Sequence, residues 1–104
     1  MLNDRIIQMC FALGNTERMI IMDALKDHPR SVTDLLKDMK VTQSTLSHHL
    51  RILRKAGFVS GIRSGRHVYY AVGKGNFDNL TEILKEYNDA IPTSAMILLE
   101  DNEE

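Results

Sequence analysis

The sequence predicts a mainly α-helical fold carrying one small β-hairpin, in the order helix, helix, helix, helix, strand, strand, helix. Three observations carry this prediction. Apolar residues recur at helical spacing in five separate stretches. Two short β-type runs, Phe58–Arg63 and His67–Val72, flank the turn signal Ser64-Gly65. Asn15, Ser31 and Thr42 stand just before helical stretches as caps, while Gly14, Pro29, Gly57 and Pro92 stand just after them as stops.

The first helix is carried by Leu2, Ile6, Met9, Cys10 and Leu13, about three turns ended by Gly14. The second opens at Asn15 with Glu17 in its first turn, where a carboxylate complements the helix dipole. Met19 to Met22, Ala24 and Leu25 make it apolar almost all round, so it is expected at the centre of the core until His28-Pro29 stops it. Ser31 followed by Asp34 resembles a capping box and starts a short third helix with Val32, Leu35, Leu36 and Met39. Lys40-Val41 is a tight connection. Thr42 then caps a fourth helix running to about Ala56, with Gly57 as its stop. After the hairpin, Gly73 and Gly75 break the chain. A fifth helix follows from about Asn76 to Ala90, with Phe77, Leu80, Ile83, Leu84 and Tyr87 on one face. Thr93–Leu99 is expected to add one or two further helical turns. A short helix joined by a few residues to a longer one is a helix-turn-helix, and a hairpin after it is a wing.

At 104 residues the chain has room for one domain, residues 1–104, and its 43% apolar content suits a folded core. No run of 18 apolar residues offers a membrane span, and Met1-Leu2-Asn3-Asp4-Arg5 lacks a signal-peptide layout. The lone Cys10 cannot form an internal disulfide. These features predict the cytoplasm. No enzyme is expected: no Ser/His/acid set has a nucleophile-elbow context, and Gly73-Lys74-Gly75 is too short for a phosphate loop. No cofactor and no metal site are expected either.

Charge is strongly segregated. Between Lys40 and Phe77 the chain holds seven cations (Lys40, Arg51, Arg54, Lys55, Arg63, Arg66 and Lys74) and no Asp or Glu. The other segments hold the remaining six cations and all 14 acids. A positive island of this kind suits nucleic-acid phosphates, because each docked cation releases condensed counterions. The alternative is a segment that merely lacks acids. On a helical wheel of the fourth helix, Leu46, Leu50 and Leu53 share one side with His49 beside them. Ser44, Ser47, His48, Arg51 and Lys55 share the opposite side. Gln43, Ser44, Ser47 and His48 are the candidates for base reading or close backbone contact. Thr42 and Thr45 lie with Gln43 at the end that recognition helices aim at base edges, and Gln can bond adenine twice. Arg51, Arg54 and Lys55 are candidate phosphate contacts; the alternative is a solvated helix face. His49, on the apolar side, reads as a hydrogen-bonded core histidine. In the wing, Arg63, Ser64, Gly65 and Arg66 place two guanidiniums at a hairpin tip, suited to a minor groove or its phosphates. An ordinary hairpin with charged edges is the competing reading. Tyr69 and Tyr70 alternate, so one is expected inward and one outward.

The runs Leu13-Gly14-Asn15-Thr16-Glu17-Arg18-Met19-Ile20-Ile21, Ser31-Val32-Thr33-Asp34-Leu35, Val41 to Val59 with its Gln43-Ser44-Thr45-Leu46-Ser47-His48-His49-Leu50, and Gly65-Arg66-His67-Val68-Tyr69-Tyr70 resemble the ArsR/SmtB family of prokaryotic transcriptional repressors. The similarity covers roughly residues 5–90. It implies a homodimeric winged-helix protein joined through its first and fifth helices, binding double-stranded DNA at a palindromic operator and released by an inducer. Leu2, Ile6, Met9, Cys10, Leu13, Leu80, Ile83, Leu84 and Tyr87 are the candidate dimer residues, on apolar stripes beyond what one small core needs. The departures are as informative. Where many members place a Cys-x-Cys metal pair, this chain has Ser31 and Thr33, and soft metals need thiolates. Others bind metal through Asp and His on the fifth helix; here Asp78, Glu82, Glu86 and Asp89 stand there, with no His after His67. Redox members use two cysteines and this chain has one. The expected inducer is therefore not a thiolate-bound metal. The alternatives are a sensor with an atypical site, or a protein-interaction module that has lost DNA binding.

Overall fold

A helix start leaves backbone N–H groups unpaired, and this chain supplies an oxygen for them at nearly every start. Asn3 accepts from the Ile6 N–H, Asn15 from Arg18, Ser31 from Asp34 and Thr42 from Thr45. The computed structural model describes residues 3–73 and 75–90. Its elements are α1 (Asp4–Leu13), α2 (Thr16–Leu25), β1 (Arg30–Ser31), α3 (Val32–Asp38), α4 (Gln43–Lys55), β2 (Val59–Ser64), β3 (His67–Val72) and α5 (Asn76–Asp89). Among the helices of the described residues, only α5 begins without a side-chain cap, at Gly75. Thr42 matters most, since it starts the helix that carries the candidate site. Thr42→Ala is expected to lower stability by about 1 kcal/mol, read as a lower urea midpoint at unchanged m-value.

The core gathers one stripe from each helix. Ile6, Met9 and Ala12 of α1 meet Ile21, Met22 and Leu25 of α2, Leu35 of α3, and Leu46, Leu50 and Leu53 of α4. Phe58 and Val59 close the end of α4, and Leu80 brings α5 down onto the same cluster. The Phe58 and Phe77 rings sit 4.7 Å apart, which seats the first turn of α5.

The sheet has three antiparallel strands in the order β1-β3-β2, not the two-stranded hairpin expected from sequence. β1 pairs Arg30 with Tyr70 and Ser31 with Tyr69. A two-residue strand has no periodicity to read, and it forms because β3 offers it an edge. Ser31 serves twice, pairing in the sheet while its hydroxyl caps α3. β2 begins at Val59, one residue later than predicted, because the Phe58 N–H closes the end of α4 by donating to the Leu53 carbonyl. The hairpin register pairs Ser64 with His67, which makes Gly65-Arg66 the turn rather than Ser64-Gly65. Gly65 has φ +63° at the first central position, the place where a type II′ turn needs glycine.

One further expectation needs correction. α2 is not buried all round: Met19 and Ile20 are exposed, while Arg18 is buried with Ile21, Met22 and Leu25. Both tyrosines of β3 are half-buried, Tyr70 against the core and Tyr69 beside the His67 ring. Leu2, Lys74, Pro92 and the predicted turns over Thr93–Leu99 lie outside the described residues.

Candidate nucleic-acid interface

α3 and α4 pack together as the helix-turn-helix, and the amphipathicity of α4 decides what each of its faces does. Leu46, His49, Leu50 and Leu53 are buried. Gln43, Ser44, Ser47, His48, Arg51, Arg54 and Lys55 are exposed, as is Thr42. Thr45 is half-buried and belongs to the cap: it accepts a hydrogen bond from the Thr42 hydroxyl at 3.0 Å while its N–H donates to Thr42 Oγ1 at 3.1 Å. Arg54 and Lys55 occupy the last turn, at the negative end of the helix dipole. No carboxylate stands in the first turn.

The wing continues this exposure. Arg63, Ser64, Gly65, Arg66 and His67 are all exposed at the tip of β2 and β3. Lys40, Arg51, Arg54, Lys55, Arg63 and Arg66 are exposed too, and among the described residues none of them pairs with an acid. The lysine ion pairs lie elsewhere, Lys26 with Asp23 on α2 and Lys37 with Asp34 on α3. The cations of α4 and the wing are therefore uncommitted, which is what a phosphate-binding surface requires.

Beneath this surface lies a buried polar node that the sequence did not announce. Arg18 is 5% exposed. Its Nε donates to the Ala12 carbonyl at 2.6 Å and its Nη2 to the Phe11 carbonyl at 3.0 Å. These carbonyls belong to the last turn of α1, where helical partners run out and where that helix has no basic residue of its own. The guanidinium also stands 5.0 Å from the Phe11 ring centroid. Its Nη1 donates to His49 Nδ1 at 3.2 Å, and His49 Nε2 meets Glu17 Oε1 at 2.9 Å. Arginine has only donors, so His49 Nδ1 carries the lone pair and Nε2–H donates to the carboxylate. The expected hydrogen-bonded core histidine is thus present. The clue to its partner was the missing base in the last turn of α1.

The candidate dimer residues separate into two sets. Ile6, Met9 and Leu80 are in the protomer's own core, so they support α1 and α5 from beneath instead of facing outward. Leu13 and Ile83 are half-buried, and Cys10, Leu84 and Tyr87 are exposed. Two apolar side chains missed from sequence, Ile7 and Phe11, are 52% and 62% exposed on the outer side of α1. The apolar stripe of α1 is wider than one face, and the sequence reading took its inner half.

Residues 15–60 match the model of the bacterial regulatory protein, arsR family. An HTH-type transcriptional regulator of Methanocaldococcus jannaschii, MJ1325, is 36% identical over 76 residues, covering 71% of this chain and 81% of that one. The chain belongs to the ArsR family. This ArsR-family chain is also 41% identical over 61 residues to the transcriptional regulator NmtR of Mycobacterium tuberculosis, covering 59% of itself. It spans about half the length of curated relatives such as NmtR, 51% in that case. Among solved structures, the solution structure of Mb0332 from Mycobacterium bovis superposes with a TM-score of 0.68 at 26% identity, covering 83% of this chain and 80% of that one. That protein is described as a homodimeric winged helix-turn-helix DNA-binding domain. The winged helix-turn-helix expected from sequence is the fold of this ArsR-family chain. No helix among its described residues is long and apolar enough to cross a membrane.

Proposed function

We propose that this ArsR-family chain is a transcriptional repressor that binds a two-fold symmetric operator as a homodimer. α4 enters the major groove and the wing lies on the flanking minor groove. The observation that carries this is the exposed, carboxylate-free ridge of Arg51, Arg54, Lys55, Arg63 and Arg66, none of them paired with an acid among the described residues. Gln43, Ser44, Ser47 and His48 read or closely approach the bases, and the cations hold phosphates. A two-fold axis through α1 and α5 sets two α4 helices about 34 Å apart, one turn of duplex. The homodimeric description of Mb0332 supports this assembly. The exposed apolar side chains Ile7, Phe11, Leu84 and Tyr87 supply the surface for it.

The signal that releases DNA is not a metal held by thiolates at the start of α3. Ser31 and Thr33 stand there, and the Ser31 hydroxyl already accepts the Asp34 N–H at 3.1 Å.

A fluorescence titration against duplex DNA tests the reading. With about four phosphates held by each protomer, log K falls against log[salt] with a slope of about −7. A flat salt response refutes it. Arg51→Ala and Arg66→Ala weaken binding to every duplex and each reduces the slope by about one or two, one phosphate per protomer. Gln43→Ala changes base preference, with discrimination at one position falling by about 1–3 kcal/mol. The reverse pattern would exchange the two roles.

A further inference from the structure

We propose that Arg18 and His49 are positioning residues for sequence recognition: they hold α4 at one angle to α1 and so set which bases its exposed face can reach. The proposal rests on α4 being the helix that reads the duplex.

α1 and α4 are joined by polar bridges at two places. At one, Arg18 collects the Phe11 and Ala12 carbonyls from the last turn of α1 and passes a hydrogen bond to His49 in the middle of α4. At the other, Asn76 Nδ2 donates to the Gly57 carbonyl just beyond α4 at 2.7 Å, while Arg5 Nη2 from the first turn of α1 donates to Asn76 Oδ1 at 3.0 Å. Between these points, in residue order along both helices, lies a half-open cavity of about 220 Å³ lined by Gln8, Phe11, Ile52, Lys55 and Ala56. The apolar core joins the two helices on their inner side, and on the side of this cavity the polar bridges carry a share of their mutual placement.

The two bridges differ in kind. The Arg5–Asn76 bond is exposed, where water competes for both groups. The Arg18–His49 bond is buried, and there a donor or acceptor without its partner is costly. Arg18 cannot turn away without abandoning two carbonyls. His49 cannot turn away without leaving both Arg18 and Glu17. The angle of α4 is therefore fixed by a bond that has no good alternative. Ser47, His48 and Arg51 stand on the same helix as His49, so a rotation of α4 moves every one of them against the groove. Phosphate contacts by long Lys and Arg side chains tolerate such a movement, but base-edge hydrogen bonds do not.

The experiment uses the full chain and two duplexes of equal length: one selected by the wild type from a random pool, and one of unrelated sequence. His49→Gln places an amide where Nε2 was, reaching Glu17 but not Arg18. His49→Asn places its amide oxygen where Nδ1 was, keeping the Arg18 bond. His49→Gln is expected to lose about tenfold or more on the selected duplex, the scale of one hydrogen bond to a charged group. On the unrelated duplex it stays within about twofold of the wild type, with the same salt slope. His49→Asn keeps its discrimination within about threefold of wild type, as does Glu17→Gln, whose amide oxygen still accepts from His49. Arg18→Lys, which cannot fill three acceptors in that plane, follows His49→Gln. Equal losses on both duplexes, in step with the melting temperature, mean a merely structural role and overturn the proposal. So does His49→Asn behaving like His49→Gln. If Arg18→Lys does not fold, the His49 pair still decides, because both keep Arg18. A wild type that treats all duplexes alike defeats the assignment of α4 itself. A wild type that discriminates, with variants that discriminate equally well, defeats this proposal alone.

Discussion

Leu84→Glu is expected to turn the proposed dimer into a folded monomer and to lower affinity for the proposed operator by about 10² to 10⁴-fold, the range over which linking two binding modules raises avidity. Leu84 is 56% exposed on α5, and Tyr87, one turn further on, is 64% exposed. Both are largely open to solvent, so a carboxylate at 84 reaches water while the chain is alone. No acid stands four residues away on either side, where Leu80 and Asn88 are found, so the helix itself gains no close like-charge pair. In a two-fold interface the same patch meets its own copy, and the new carboxylate then enters a desolvated contact and faces its symmetry mate. The core contact of α5 is made one turn earlier, by the buried Leu80, and Leu84 is not part of it, so the melting transition of the monomer stays cooperative. Sedimentation velocity at micromolar protein gives the mass, and titration with the selected duplex gives the affinity. A single α4 and wing still hold phosphates, so weak salt-sensitive binding persists. A variant that still sediments as a dimer places the interface away from this face of α5. A monomer that keeps full affinity removes the two-half-site geometry.

Much of this architecture is written locally, and the exceptions share a cause. Thr42, Ser31, Asn15 and Gly57 each act through neighbours within about four residues, so caps and stops could be read along the chain. The two faces of α4 could be read as well, because one side carries three leucines and the other carries no acid. β1 could not, since Arg30 and Ser31 are a strand only because Tyr69 and Tyr70 come to lie beside them. Arg18 is the sharper case. It sits in an apolar run, and a count of apolar residues placed Met19 and Ile20 inside with their neighbours. The helix turns instead so that Arg18 is buried and those two are exposed. Three acceptors from α1 and α4 make that arrangement possible, and all three are distant from Arg18 in the pattern that was read. On α1, Ile6 and Met9, candidates for the dimer, lie in the protomer's own core, because a wide apolar stripe does not say which of its halves meets that core. The exposed face of α4 was legible because its chemistry is one-sided. The node beneath it was not, because its parts come from three helices.

Gly57→Ala is expected to cost about 2–3 kcal/mol, the sum of a left-handed backbone penalty and one lost hydrogen bond. Gly57 has φ +86°, a conformation that a Cβ disfavours. The residue stands where α4 ends and the chain turns into β2, the joint that fixes the wing against α4. Its N–H donates to the Arg54 carbonyl at 2.9 Å, and the next N–H, of Phe58, donates to the Leu53 carbonyl at 2.9 Å. This pair of bonds closes the last turn of α4. A Cβ at 57 would run into the Asn76 side-chain amide, whose Nδ2 donates to the Gly57 carbonyl. Asn76 can swing aside, but it then gives up that bond and its contact with Arg5 together. The two effects can be separated. Asn76→Ala removes the obstacle and the hydrogen bond while leaving the backbone alone, so it costs about 1 kcal/mol. In the double variant Gly57→Ala with Asn76→Ala, the steric part is already gone and the losses add to less than their sum. Urea unfolding of the three variants gives the cycle. Strict additivity would mean that Asn76 does not hold the joint. A Gly57→Ala variant as stable as the wild type would mean that the turn between α4 and the wing can be remade without a left-handed residue, and the wing arginines would then owe their position to the sheet alone.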